Sequence, residues 1–358
     1  MDSIWWNQIS NANRFIREVI SAALTAGSLI LVLPPRTPWY QSMYERIKNG
    51  LRELDAANSF ERIPCPQEEI GRYFLDHYCT REEINRYRKG KTYAEFLGES
   101  EQNLLHNRYI WVSDIPKEKG SEWIGFLTVY QDSCRRNGLR PGVFILETEQ
   151  ETLFQKRKNI HFFVLEQYLT PYDKFAFCTL AASKTFCKEN LKQYLAELVS
   201  GICSADAELC ALCMKHGSAF LENPEMTIEK LCSMEKRSDG SRFHSEEIRK
   251  EIDAAIWEVQ IKLLFPIIER YRRNFILRHV TEIEQVLPYT NSMNERVNDP
   301  MEVEIGMLCF LSQSGQVETS QREAQKLAIF REARNKLAHV YCLNLEDVEQ
   351  MLIIGNKY

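Results

Sequence analysis

The chain has 358 residues, 44% of them hydrophobic and 27% charged, with a formal net charge of −5. That length is too great for one comfortable core and calls for two or three domains, and the composition excludes disorder as the default state. A mildly acidic balance argues against a protein that coats nucleic acid with its whole surface, while leaving room for one local basic cleft.

The N-terminal residues Met1, Asp2, Ser3, Ile4, Trp5 and Trp6 lack the basic segment and cleavage site of a signal peptide. The longest apolar stretch, residues 28–35, falls well short of the ~20 residues a membrane span needs. Eleven cysteines at irregular spacing fit reduced thiols better than a disulfide framework. A soluble, cytoplasmic protein with no membrane partner is the expectation.

Residues 1–170 alternate short apolar runs with amphipathic helical segments. The runs are 29–33, 60–63, 109–112, 142–146 and 160–165, each β-branched or aromatic and mostly unalternated, as strands buried on both faces require. Helical patterns at 39–55 and 121–137 lie between them, so a parallel, doubly wound α/β sheet is predicted. A nucleotide-binding sheet would carry a glycine-rich loop and lysine after its first strand. Here the first strand is followed by Pro34, Pro35, Arg36, Thr37 and Pro38, which offer few backbone donors and no lysine. Asp114 ends the run of strand 109–112 and is weighed as a magnesium or nucleotide ligand against a plain loop or cap residue.

From about residue 171 the strand-like runs stop, and helices are predicted over 173–187, 188–201, 205–216 and 227–235. The polar stretch 236–244, with Asp239 and Gly240, is the best linker candidate. Beyond it a long helical pattern covers 245–278, with an interruption expected at Pro266. Helices at 302–312, 319–340 and 345–354 complete the chain. The domains expected are thus 1–170 (α/β), 171–240 (helical lid or linker) and 241–358 (all-α bundle), a fold class of α/β plus all-α.

The densest chemistry lies in the penultimate helix, where Arg331, Arg334, Asn335, His339 and Tyr341 fall within eleven residues. Asn335 and His339 are i,i+4 and share a face, with Arg331 on the same ridge. Arg334 and His339 stand roughly 140° apart around the axis, at 3.6 residues per turn. One helix aims them poorly at a single phosphate; two helices meeting across a dyad aim them well, so a homodimer or higher homo-oligomer is expected. In such a cleft His339 would serve as general base or acid on a ribose 2′-hydroxyl or 5′-oxygen. Arg334 would stabilise the phosphorane, and Asn335 would hold the imidazole or a phosphate oxygen. The chemistry needs a 2′-hydroxyl and hence RNA, and no cofactor or metal.

Arg334, Asn335, Lys336, Leu337, Ala338 and His339 resemble the signature of HEPN-domain ribonucleases, over about residues 245–358. The resemblance implies a four- or five-helix up-and-down bundle that dimerises and cuts RNA without metal, with Arg334 and His339 catalytic and Asn335 supporting. Tyr341 completes a form of the signature found in HEPN toxins paired with a modifying antitoxin, which makes a regulatory partner protein an expectation. The first 240 residues resemble, in topology only, a P-loop ATPase module with its lid, degenerate at the nucleotide site. Together these imply a toxin or antiviral-defence endoribonuclease. The alternatives are a non-catalytic dimerisation adaptor and a nucleotide-sensing switch using Asp114.

Weaker candidates complete the reading. Glu302 and Glu304 precede the motif helix, where they could face the cleft or simply cap a helix. Cys203, Cys210, Cys213 and His216 are weighed as a zinc site against buried core thiols, which fit a helical segment better. The basic runs 86–91 and 134–136 read as solvated surface, the first with some capacity for RNA phosphate.

Overall fold

Five apolar runs become the five strands of one parallel sheet: β1 (Ser28–Val32), β2 (Ser59–Pro64), β3 (Arg108–Ser113), β4 (Val143–Thr148) and β5 (Ile160–Val164). In the computed structural model, residues 1–25, 27–149, 160–203, 206–244, 252–290 and 294–355 are described. The strand order is β2-β3-β4-β1-β5, with Leu29 beside both Ile145 and His161, and Tyr109 beside both Phe60 and Val143. Alternate side chains enter separate cores. Ile30, Val112, Phe144 and Leu146 pack against Phe74, Leu97, Trp123 and Leu127, while Trp111 stands edge-on to Tyr44 at a ring separation of 5.1 Å. Burial on both faces is why the strands read as continuous apolar runs.

Helices α1 (Ser10–Leu24) and α2 (Tyr40–Leu54) supply the second of those cores. Phe15 of α1 meets Phe163 of β5 edge-on at 6.4 Å. The first core is closed by α3 (Ile70–Tyr78), α4 (Arg81–Arg86), α5 (Tyr93–Glu99) and α6 (Gly120–Arg136). Helices α5 and α6 approach closely because Gly98 has no side chain: a Cβ there would sit 2.5 Å from Ser133 Cβ and 2.7 Å from the Tyr130 carbonyl oxygen. Both α4 and α5 begin with capping boxes, Thr80 with Glu83 and Thr92 with Glu95. From β1 the chain crosses to the far edge strand β2, then steps back through β3 to β4, which lies beside β1. The winding direction therefore reverses between β1 and β4, the place where a doubly wound sheet opens a crevice at the carboxyl ends of its strands.

Two compact units result, residues 1–173 with 238–240, and residues 174–237 with 241–358. After the short α7 (Leu165–Tyr168), α8 (Pro171–Ala182) carries the chain into the second unit. There follow α9 (Lys192–Ile202), α10 (Ala207–Lys215), α11 (Gly217–Glu222) and α12 (Pro224–Met234). Then come α13 (Ile252–Arg278), α14 (Val280–Val286), α15 (Ile305–Gln313), α16 (Gln321–Ala338) and α17 (Leu345–Gly355). The segment read from sequence as a lid thus shares a unit with the C-terminal helices, and α9 packs directly on α13.

Three expectations require correction. Helix α13 runs through Pro266 without a break. The ring removes one donor and crowds the preceding turn, yet Pro266 is exposed, while Leu264, Ile268, Tyr271 and Phe275 form a buried stripe. Burial of that stripe outweighs the ~3 kcal/mol penalty of an interior proline. The stretch 236–244 is no slack linker: Lys236 bridges Arg242, and Arg237, only 3% exposed, is gripped by Asp206 and lies over the Phe243 ring. Strands do recur after residue 170, as a two-residue pair, β6 (Tyr289–Thr290) against β7 (Arg296–Val297). The start of the long helical pattern, residues 245–251, lies outside the described residues.

Candidate functional site

Helix α16 is built to hold one face and offer the other. Ser320 caps it by accepting from the Glu323 amide, and good helix formers fill its body. Leu327, Phe330, Ala333 and Leu337 are buried along one stripe, and Phe330 stacks on Tyr271 of α13 at 4.3 Å. Arg334 sits at the edge of that stripe, partly buried, while Asn335, Ala338 and His339 are exposed. Arg331 is also partly buried, and its charge is felt by the Cys309 thiol of α15. Arg334, Asn335 and His339 make no side-chain hydrogen bond or ion pair with another described residue. Lys336, by contrast, is tied to Glu332 at 2.9 Å and Asp347 at 3.7 Å. Its pKa rises through the Glu332 hydrogen bond.

The helix ends abruptly at the motif. His339 is the C-cap residue, Val340 takes the left-handed conformation at φ 63°, and the Tyr341 and Val340 amides donate to the carbonyls of Lys336 (2.9 Å) and Leu337 (3.2 Å). This is a Schellman closure with valine where glycine is usual, a strained choice for a β-branched residue. The turn swings Tyr341, 67% exposed, away from the helix axis. What holds the strained end is α13. Trp257 Nε1 donates to the Leu337 carbonyl (2.8 Å). Gln260, 1% exposed, accepts from the Leu343 amide (2.7 Å) and donates to the Leu343 carbonyl (2.9 Å) and Tyr194 Oη (3.1 Å). His339 and Tyr341 are therefore carried on a segment anchored at both ends.

The other residues singled out from sequence fall elsewhere. Glu304 is the N-cap residue of α15, without a side-chain cap bond. It lines a groove of about 920 Å³ with Glu302, Arg296, Tyr289, Met307 and Phe310, to which none of Arg331, Arg334, Asn335 or His339 contributes. Of the basic run 86–91, Lys91 pairs with Glu99, Arg88 donates to the carbonyls of Asn85 and Tyr87, and Tyr87 stacks on Tyr93 at 4.7 Å. Cys203, Cys210 and Cys213 are buried while His216 is exposed, and among the described residues no group of three or more His, Cys, Asp or Glu could hold a metal ion.

Asp114 lies where the winding of the sheet reverses. Left-handed at φ 59° and accepting from Ser113 Oγ at 2.8 Å, it lines a 320 Å³ crevice with Pro34, Pro35, Thr37, Tyr40, Arg62, Glu147, Thr148, Glu149 and Asp239. Glu147 is the residue that sequence reading missed there. Its Oε2 accepts from Tyr40 Oη (2.5 Å) and Trp111 Nε1 (2.6 Å), and burial followed by the Glu147 charge drives the Tyr40 pKa far upward. The available signal was an acid closing an apolar strand run, the same cue that marked Asp114. Arg62, the one guanidinium among the described residues that line the crevice, already lies over the rings of Tyr40 (5.4 Å) and Tyr44 (5.1 Å). Among the described lining residues, four carboxylates against one engaged arginine, beside two prolines, make a poor cradle for phosphate.

No protein-family model matches the chain, and no curated protein matches it. Among the described residues no helix is long and apolar enough to cross a membrane.

Proposed function

We propose that the chain is a metal-independent endoribonuclease of the HEPN type, acting as a homodimer or higher homo-oligomer in a toxin or antiviral-defence role. The observation that carries this reading is the exposed face of α16: Arg334, Asn335 and His339 make no side-chain hydrogen bond or ion pair with a described residue around the small, exposed Ala338, while the buried stripe is locked into α13. Two such faces brought together across a dyad would place an imidazole from one copy beside a guanidinium from the other. His339 then takes the 2′-hydroxyl proton as base or protonates the 5′-oxygen as acid. Arg334 stabilises the phosphorane, and Asn335 orients the ring or a phosphate oxygen. The products are a 2′,3′-cyclic phosphate and a 5′-hydroxyl. Tyr341 is open to a modifying partner by its exposure.

The test is cleavage of a fluorescent single-stranded RNA in EDTA by wild type, Arg334→Ala and His339→Ala. Loss of a general acid–base or of the charge stabiliser should cost ~10²–10⁴-fold in rate, with DNA of the same sequence uncut. Equal cleavage by all three proteins, or cleavage by a strict monomer in sedimentation, refutes the shared cleft. Wild type that never cuts RNA yet dimerises through α16 would favour the adaptor alternative. The nucleotide-sensing alternative draws no support from the acidic, proline-flanked crevice at Asp114.

A further inference from the structure

Where α8, α9 and α10 meet, the fold gathers thiols that lie far apart in the chain. Cys178 on α8, Cys203 at the C-cap of α9, and Cys210 and Cys213 on α10 are each at most 1% exposed. Cys203 stands at the centre of the group. Its Sγ is 3.7 Å from Cys213 Sγ, and its carbonyl accepts from Cys210 Sγ at 3.3 Å. Core thiols used only as small apolar groups have no need to contact one another.

We propose that Cys203 and Cys213 form a reversible disulfide when the protein meets hydrogen peroxide. Cys210, which donates its thiol proton to the Cys203 carbonyl, lies beside the pair as a thiol. Cys213 sulfur attacks one peroxide oxygen: an S–O bond forms, the O–O bond breaks, and hydroxide leaves as water with the Cys213 thiol proton. Cys203 sulfur then attacks the sulfenic sulfur, forming an S–S bond and expelling a second water with the Cys203 thiol proton. In sum, two thiols lose two electrons to one peroxide and give one disulfide and two waters. The two sulfurs have to close from 3.7 Å to the ~2.05 Å of a disulfide bond. The link would staple the end of α9 to α10. None of this depends on the ribonuclease reading.

The experiment titrates the purified full chain with hydrogen peroxide, blocks remaining thiols with N-ethylmaleimide in denaturant, and maps peptides by mass spectrometry. The expected product is a dithiothreitol-reversible peptide pair joining Cys203 to Cys213, with a melting temperature raised by several degrees. Cys213→Ser should abolish it, and Cys342→Ser, at an exposed thiol, should leave it unchanged. If oxidation exhausts exposed Cys342 while Cys203 and Cys213 remain alkylatable, the pair is refuted. The wild-type map alone decides the pair if a serine variant does not fold.

Discussion

Gln260 is the residue on which the end of the motif helix hangs, and Gln260→Leu removes three hydrogen bonds at once. The substitution leaves the Leu343 amide and carbonyl without partners at a position only 6% exposed, and takes one from Tyr194 Oη. An unsatisfied buried polar group costs ~1–3 kcal/mol. Two such groups, less the gain from burying an extra apolar side chain, bring the loss to about 2–5 kcal/mol. Urea unfolding followed through Trp257, in the same helix one turn earlier, should show a lower midpoint with little change in slope. Hydrogen exchange supplies the local reading, because the Leu343 amide should lose at least about a hundredfold protection, in line with a few kcal/mol. Destabilisation below ~1 kcal/mol with Leu343 still protected would show that the clamp does not hold the segment, and the argument for an anchored motif would fail. Under the ribonuclease reading the variant should also cut RNA more slowly.

Two further substitutions probe the strain and the corrected helix. Val340→Gly should raise the melting temperature: the left-handed conformation costs an L-residue ~1–2 kcal/mol, glycine returns about half of that through chain entropy, and Val340 is 64% exposed, so little packing is lost. A lower melting temperature would mean that the valine side chain has a packing role there. Pro266→Ala restores a backbone donor on the exposed side of α13 and should stabilise by up to ~3 kcal/mol in thermal unfolding. Destabilisation would show that α13 depends on the proline.

Much of the architecture is written locally. Unalternated runs such as 29–33 and 109–112 can be satisfied only by strands covered on both faces, and the apolar spacing of Leu327, Phe330, Ala333 and Leu337 is a helix face in any context. The concentration of Arg334, Asn335, His339 and Tyr341 is likewise legible, because those residues are neighbours along the chain. What sequence could not supply were associations across long separations. Glu147 becomes a crevice carboxylate only because β4 lies between β3 and β1, which sets it against Trp111 of β3 and Tyr40 of α2. Gln260 becomes a clamp only because α13 passes Leu343, 83 residues later. Pro266 reads as a break until burial of the stripe opposite it is taken into account, and four scattered cysteines become a group only once α8, α9 and α10 have packed. Periodicity and propensity act within a few turns of chain and so leave a trace in local order. Tertiary burial joins residues whose separation carries no such trace, and its energy is large enough to overrule the local rule where the two conflict.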